Sequence, residues 1–308
     1  MRRRVHGTAG PAHDSEIRRT DQQVPGAPRR ESAWNSRLYD REFCYIVSVQ
    51  DTAMDPICNI ALYSNIRDRA LKRKGILIAE GRLLVGRLLD SDLGVQSILC
   101  AEKMADEFRE RARGRCPVHV LGNDEMEKFA GFPFHRGVMA VSLRPVIIPL
   151  GQFLTEKAPY RNFVICPRLS GDENLGSIIR TSAAMGADAV LIGPESCDPF
   201  SRRALKASMG TAFSLPIVMM DGVDSAFPLL KGRGFMVYGA TTGKNSIPIR
   251  EVRPPEKRAV VFGNEAEGIP ANILSQCDVI VHVPMHNNTD SLNVSVAAGI
   301  VLHELFNH

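Results

Sequence analysis

The sequence predicts an α/β protein, with a mostly parallel sheet in the C-terminal half and a smaller α/β lobe before it. Three observations carry this expectation. Short apolar runs alternate with helix-like stretches from Gly75 onward, the pattern of strand–helix units. In the C-terminal half, the runs Val260–Phe262 and Val279–Val283 each feed directly into a Gly- or Asn-rich polar turn. Open α/β sheets bind ligands at the carboxyl ends of their strands. Those two turns hold the densest polar side chains of that half, so the active site is expected there.

Length and composition frame the elements. A chain of 308 residues is long enough for two domains. With 44% hydrophobic and 23% charged residues it reads as an ordinary soluble globular protein, expected in the cytoplasm. A formal net charge of +4 permits a nucleic-acid partner without requiring one. The seven cysteines contain no C-x-x-C pair, so reduced thiols are expected. No apolar run approaches the roughly 18 residues needed to cross a bilayer.

Residues 1–50 are rich in Arg, Pro, Gly and polar side chains with no periodicity, and read as a disordered tail or an upstream extension. The tail has no apolar core, so it does not read as a secretory signal, and a transit peptide would be poorer in acidic residues. Phe43–Val49 is a candidate strand within it.

A small α/β domain is expected over 55–145. Asn65–Gly75 reads as a basic helix closed by Gly75. Strands are expected at Gly75–Ala79, Val95–Ala101, Val118–Leu121 and Val138–Leu143, with helices at Arg82–Leu89, Met104–Arg113 and Asn123–Phe129 between them. Residues 146–160 are Pro-punctuated and read as a linker with one short helix. The domain of 161–308 follows, with strands expected at Phe163–Cys166, Ala189–Ile192, Pro216–Met219, Phe235–Gly239, Val260–Phe262 and Val279–Val283. Strand–helix alternation over this length implies a parallel sheet covered on both faces.

Several site types are absent. No G-x-G-x-x-G follows a strand and there is no P-loop. His303-Glu304 and His308 have the wrong spacing for a zincin helix, so no metal site is expected. Three polar segments remain. A helix is expected near Asn174, with Leu175, Ile178 and Ile179 on its apolar face, Gly186 closing it, and Arg180 six residues after Asn174. Gly263–Gly268 brings glycines and Glu265 to a βα turn, where backbone approaches a ligand closely. Pro284–Ser295 leads into a helix for which Asp290 or Ser291 is a cap. Taken singly, each segment is explained as well by helix capping and solvation.

Together the segments resemble the SpoU/TrmH-type RNA 2′-O-ribose methyltransferases of the SPOUT superfamily. The likeness is carried by N-L-G-S-I-I-R-T at Asn174–Thr181, K-A-S-M-G at Lys206–Gly210, V-F-G-N-E-A-E-G at Val261–Gly268 and S-L-N-V-S-V-A-A at Ser291–Ala298. It covers roughly the C-terminal half. The region around Ile76–Pro145 is similar, more diffusely, to the small ribosomal-protein-type RNA-binding domain of many members.

The resemblance implies a parallel-sheet SPOUT domain with a deep trefoil knot, S-adenosylmethionine as methyl donor, RNA as partner and a homodimer contact on the last helix. An apolar stripe of Val296, Ile300, Val301 and Leu305 fits that contact. It also implies a catalytic group of Asn174, Arg180, Glu265, Ser291 and Asn293. Thr241, Gly263, Asn264, Glu265, Gly268, Val283, Pro284, Met285, Ser291 and Leu292 would line the donor pocket. Where the family often has Gly, this chain has Asn287; Asn tolerates left-handed backbone, so the turn is expected to persist. A guanidinium stays protonated, so Arg180 is expected to bind phosphate and orient the hydroxyl instead of acting as a base.

For RNA phosphates the candidates are Arg67, Arg69, Lys72, Arg73, Lys74, Arg136, Arg202, Arg203 and Lys206. The Phe132–Arg136 segment is a candidate for base stacking. The separate N-terminal domain favours ribosomal over transfer RNA. The competing readings are a non-catalytic RNA- or ribosome-binding protein of the same fold and a base-nitrogen RNA methyltransferase.

Overall fold

The computed structural model describes residues 62–63, 67–122, 125, 137–154, 159–243, 245–287 and 289–307. The tail, the strand expected at Phe43–Val49, the Asn123–Phe129 helix apart from Glu125, and the Phe132–Arg136 segment lie outside these residues.

The first lobe forms where β-branched and aliphatic runs meet amphipathic helices. Helix α1 (Asp68–Arg73) leads into β1 (Ile76–Glu80), then α2 (Arg82–Leu89), β2 (Val95–Ala101), α3 (Ala105–Ala112), β3 (Val118–Leu121) and β4 (Val138–Leu143). The sheet order is β1-β4-β2-β3, with β4 antiparallel to both neighbours and β2 parallel to β3. Side chains alternate across the sheet. Leu77, Ala79, Ile98, Cys100, Val138 and Ala140 pack with α2 and α3, while Ile76, Ile78, Leu99, Met139 and Val141 pack under Leu71 and the buried Tyr63. The Tyr63 hydroxyl donates to the Ser97 carbonyl at 2.8 Å, so this buried phenol is satisfied.

The second lobe holds β5 (Ile148–Pro149), α4 (Leu150–Phe153), β6 (Asn162–Cys166), α5 (Asp172–Ala184), β7 (Ala189–Ile192), α6 (Arg202–Ala207), β8 (Ile217–Met219), α7 (Val223–Lys231), β9 (Met236–Ala240), β10 (Ile247–Pro248), β11 (Arg258–Val261), α8 (Ala271–Leu274), β12 (Val279–His282) and α9 (Val294–Phe306). All its strand pairs are parallel, in the order β10-β12-β9-β11-β6-β7-β8-β5. Both faces are covered, as the near-continuous apolar strands require. Val164, Val190 and Val260 face one cluster with α5 and α9; Phe163, Ile165, Leu191 and Val261 face the other with α7.

Three sequence expectations need correcting. The 146–160 linker supplies β5, an edge strand paired with β8, and buries Leu150, Phe153, Leu154 and Tyr160. The last helix starts at Val294 and its cap is Asn293, whose side chain accepts from Ser295 N; Asp290 and Ser291 do not cap it. On that helix Val301 and Leu305 face the chain's own core, leaving Val296 exposed and Ile300 half-buried. Helix α5 closes as expected, with Gly186 at φ +79° just beyond its end.

Polar contacts fasten the lobes together. Arg202 pairs with Glu80 at 2.8 Å, its amide donates to Asp68 Oδ1, and Arg144 pairs with Asp198 while lying over the Phe200 ring. Arg87 donates to the Met209 carbonyl.

Arg258 closes the opposite side of the sheet. It is buried on β11, donates from Nε to Asn162 Oδ1 at 2.8 Å and reaches the Phe306 carbonyl at the end of α9. Burial pushes its pKa down. A cation at a helix C-terminus is favourable, and the buried Phe306 carbonyl would otherwise lose this donor. Arg258→Ala is therefore expected to lower stability by about 2–4 kcal/mol, read as a shift in the urea unfolding midpoint.

Candidate active site

The carboxyl ends of β6, β7 and β11 bring three loops together. After β11, Gly263 is buried with no room for a side chain: an added Cβ would lie 2.2 Å from the Gly268 carbonyl carbon. Asn264 and Gly268 exchange backbone hydrogen bonds of 3.0 and 2.8 Å, which closes the loop on itself. Gly268 takes φ +68°, a conformation that suits glycine. The Asn264 side chain accepts from Ala266 N at 2.8 Å and donates to Ser170 Oγ at 2.8 Å, tying this loop to the one after β6. Glu265, at the loop tip, is exposed.

Glu265 is the end of a directional hydrogen-bond chain. Ser295 N and Oγ both meet Asn293 Oδ1, at 2.9 and 2.6 Å, which turns the Asn293 amide nitrogen outward. That nitrogen donates to Asn174 Oδ1 at 3.1 Å. Asn174 must then present its own nitrogen, which donates to Glu265 Oε1. Each step fixes the orientation of the next, so the carboxylate receives a donor whose orientation is set from α9. Asn174 sits in the first turn of α5, inside the helix and past its Gly171 cap. Gly171 leaves space for the pair: a Cβ there would lie 2.8 Å from Glu265 Oε1.

The structure thus gathers Asn174, Glu265 and Asn293. It does not bring Ser291 or Arg180 to them within one chain. Ser291 is exposed and makes no hydrogen bond to any described residue. Arg180 is exposed on α5, about 9 Å further along the helix and about a third of a turn around from Asn174. Among the described residues it has no ion-pair partner.

A second group of loops lies beside the first at the ends of β9 and β12. Thr241 N donates to the Val281 carbonyl at 2.9 Å. Thr241, Val283, Pro284, Met285 and Leu292 are all half-buried. Asn287 takes φ +55°, so the turn persists with Asn at that position as expected. His282 Nδ1 lies 2.9 Å from Ser246 Oγ.

An open cleft of about 330 Å³ borders the Asn264 loop, lined by Arg168, Ser170, Glu195, Asn264, Ala266, Glu267, Gly268 and Pro270. Arg168 pairs with Glu195 at 2.9 Å and lies 3.9 Å from Glu267. Two carboxylates thus share the one guanidinium that lines the cleft. It includes none of Thr241, Val283, Pro284, Met285 or Leu292.

Of the RNA candidates, Arg67, Arg69, Lys72, Arg73, Lys74, Arg203 and Lys206 are exposed. Arg202 is half-buried and paired with Glu80, a fastener between lobes. Arg136 lies outside the described residues. Burial pushes the Cys166 thiol up, and burial together with Asp172 pushes Cys197 up to about 12, so neither supplies a thiolate near the site. Among the described residues no group of His, Cys, Asp and Glu is arranged to hold a metal, and no helix is long and apolar enough to cross a membrane.

Sequence reasoning missed Ser170, Ser246, His282 and Ser295. Ser295 alone left a signal, as the hydroxyl that ends the polar Pro284–Ser295 segment leading into the last helix.

A doubly covered parallel sheet with its polar side chains collected at the carboxyl strand ends is the frame of a ligand-binding α/β protein. Residues 161–303 match the SpoU rRNA methylase family, and the chain belongs to that family. It is 32% identical over 235 residues to an uncharacterized tRNA/rRNA methyltransferase of Mycobacterium bovis, covering 75% of this chain and 81% of the relative. It is 34% identical to the 23S rRNA (guanosine-2′-O-)-methyltransferase RlmB of Acinetobacter baylyi, over 61% of this chain and 77% of that one. The fold is similar to that of an AdoMet-bound rRNA methyltransferase from Sinorhizobium meliloti, with a TM-score of 0.67 at 23% identity, over 81% of this chain and 94% of that one.

Proposed function

We propose that this protein transfers a methyl group from S-adenosylmethionine to a ribose 2′-hydroxyl of RNA, with ribosomal RNA favoured by the names of its relatives. The hydrogen-bond chain that ends on Glu265 carries the reading, because it holds side chains from three distant segments in one orientation.

The donor pocket is read as Thr241, the Gly263–Gly268 loop, Val283–Met285 and Leu292. The residues fit that ligand. Half-exposed apolar side chains offer a surface for an adenine ring, Thr241 offers a hydroxyl, and the glycine loop lets backbone approach closely. When bound, S-adenosylmethionine supplies an electrophilic methyl on a sulfonium. The chain's own residues orient the two reactants. Asn174, Asn293 and Glu265 fix the polar floor, and Ser291 is exposed and bonds to none of them. Arg180 holds the neighbouring phosphate and directs the hydroxyl. Held there, the donor would give its methyl carbon to the ribose oxygen as its carbon–sulfur bond broke, the electron pair staying on sulfur and the hydroxyl proton passing to solvent.

RNA is read along the exposed cations of α1 and α6. These helices touch at their first turns, where Arg202 N donates to Asp68 Oδ1. Replacing both Arg203 and Lys206 with Gln is expected to weaken RNA binding and reduce the slope of log K against log salt by about 1 to 2, in filter-binding titrations. The trefoil knot is read at the edge where β12 slots between β9 and β10, with α9 returning onto α5. A homodimer contact is read on the Val296–Ile300 side of α9, and the protein is placed in the cytoplasm.

The reading is tested by incubating the protein and labelled S-adenosylmethionine with total RNA from cells lacking it, then digesting to nucleosides. Label on ribose is the expected result. Label on a base nitrogen would make it a base methyltransferase. No label, with no calorimetric S-adenosylmethionine binding, would make it a non-catalytic RNA-binding protein.

A further inference from the structure

The Ser246 hydroxyl meets two groups at once. It is bonded to the Gly243 carbonyl, which can only accept. Its single hydrogen therefore goes to Gly243, and its oxygen must accept from His282 Nδ1 at 2.9 Å. This fixes the neutral His282 ring as the Nδ1–H tautomer. His282 is the last residue of β12, directly before Val283, Pro284 and Met285. Ser246 stands directly before β10, on the chain between β9 and β10. The two segments are otherwise joined through backbone, by Thr241 N to the Val281 carbonyl and by the short parallel pairing of β10 with β12. Among the described residues, the His282–Ser246 bond is a side-chain tie between the two strand-end segments that the donor pocket is read to use.

We infer that His282 is a positioning residue for methyl-donor binding, a latch that holds the chain at Ser246, between β9 and β10, against the Val283–Met285 segment. This rests on the donor-pocket reading above. His282 does not act on the reacting atoms. Its ring sets the spacing of two walls, and losing that spacing costs affinity for the ligand held between them. The loss of one net hydrogen bond corresponds to roughly fivefold in affinity. The identity of the donating atom adds a constraint. An Asn at 282 places an amide nitrogen where Nδ1 stands, whereas a Gln places it where Nε2 stands.

The test measures S-adenosylmethionine binding by calorimetry on the full chain and on His282→Ala, His282→Asn, His282→Gln and Ser246→Ala, with thermal unfolding of each without ligand. His282→Ala, His282→Gln and Ser246→Ala are expected to bind about fivefold more weakly. His282→Asn is expected to return to within about twofold of the wild type, with the melting temperatures of Asn and Gln alike. Nitrogen-15 spectra of the imidazole rings should show His282 protonated on Nδ1 in its neutral form. Wild-type affinity in His282→Ala, rescue by Gln in place of Asn, or an Nε2–H tautomer would each overturn the latch while leaving the donor pocket standing. Failure of the wild type itself to bind S-adenosylmethionine would overturn the pocket reading, and the latch with it.

Discussion

Asn174→Asp is expected to lower methyl transfer to RNA by about 100- to 1000-fold, the scale seen when one oriented donor is removed from an active site. The substitution keeps size and shape but removes the nitrogen that donates to Glu265 Oε1. It also places a second carboxylate in hydrogen-bond contact with the first, and two such groups do not both ionise freely. One of them takes up a proton more readily than an isolated acid, and the shared proton rebuilds a hydrogen bond across the pair. The variant's activity relative to the wild type is therefore expected to rise as pH falls from about 8 toward 6. Asn293 still donates to position 174, so the fold is expected to hold, with stability within about 1 kcal/mol of wild type. The checks are label transfer to RNA across that pH range and unfolding curves. A ratio to wild type that stays flat with pH, or activity near wild type throughout, would remove the Asn174–Glu265 bond from the mechanism.

That bond also shows what the sequence reveals and what it does not. Apart from the two-residue strands β5 and β10, the strands of both lobes were legible as short, largely apolar runs that the sheets bury. Strand β5 was not: two residues in a Pro-rich stretch carry no period, and their pairing with β8 is a tertiary choice. Helix α9 was legible as apolar, but it is apolar on nearly every side, so periodicity alone did not separate Val301 and Leu305, which face inward, from Val296, which is exposed. In the site, Asn174, Glu265 and Asn293 were read through family motifs, since each alone reads as a cap or a solvated polar group. Ser170, Ser246 and His282 had no local signature, because the bonds they make, Ser170 with Asn264 and Ser246 with His282, join loops far apart in the chain. Arg202 reads as a phosphate cation in an Arg-Arg-x-x-Lys run; its pairing with Glu80 is decided by how the two lobes meet.

Gly263→Ala carries the other large expected effect. The added Cβ would meet Gly268 C at 2.2 Å, Gly268 O at 2.3 Å and Ile269 N at 2.4 Å. These are backbone atoms, so no rotamer change relieves the overlap. They are held in place by the reciprocal Asn264–Gly268 bonds, and the loop must break at least one of these to open. Overpacking of this kind costs about 1–3 kcal/mol of stability. The larger consequence is geometric. Glu265 rides on the same loop, so opening it carries the carboxylate away from Asn174 and disturbs the backbone read as the donor pocket. Displacements near 1 Å already cost about 100-fold in positioning-dependent catalysis. Gly263→Ala is therefore expected to lose methyl transfer on that scale and to weaken S-adenosylmethionine binding more than tenfold, beyond what its stability loss explains. Gly151→Ala is the comparison, since a Cβ there meets nothing within 4 Å; it should match wild type in unfolding, ligand binding and transfer. If Gly263→Ala lost stability but bound S-adenosylmethionine as wild type does, the loop would be a structural closure alone and the pocket would have to be sought elsewhere on the sheet edge.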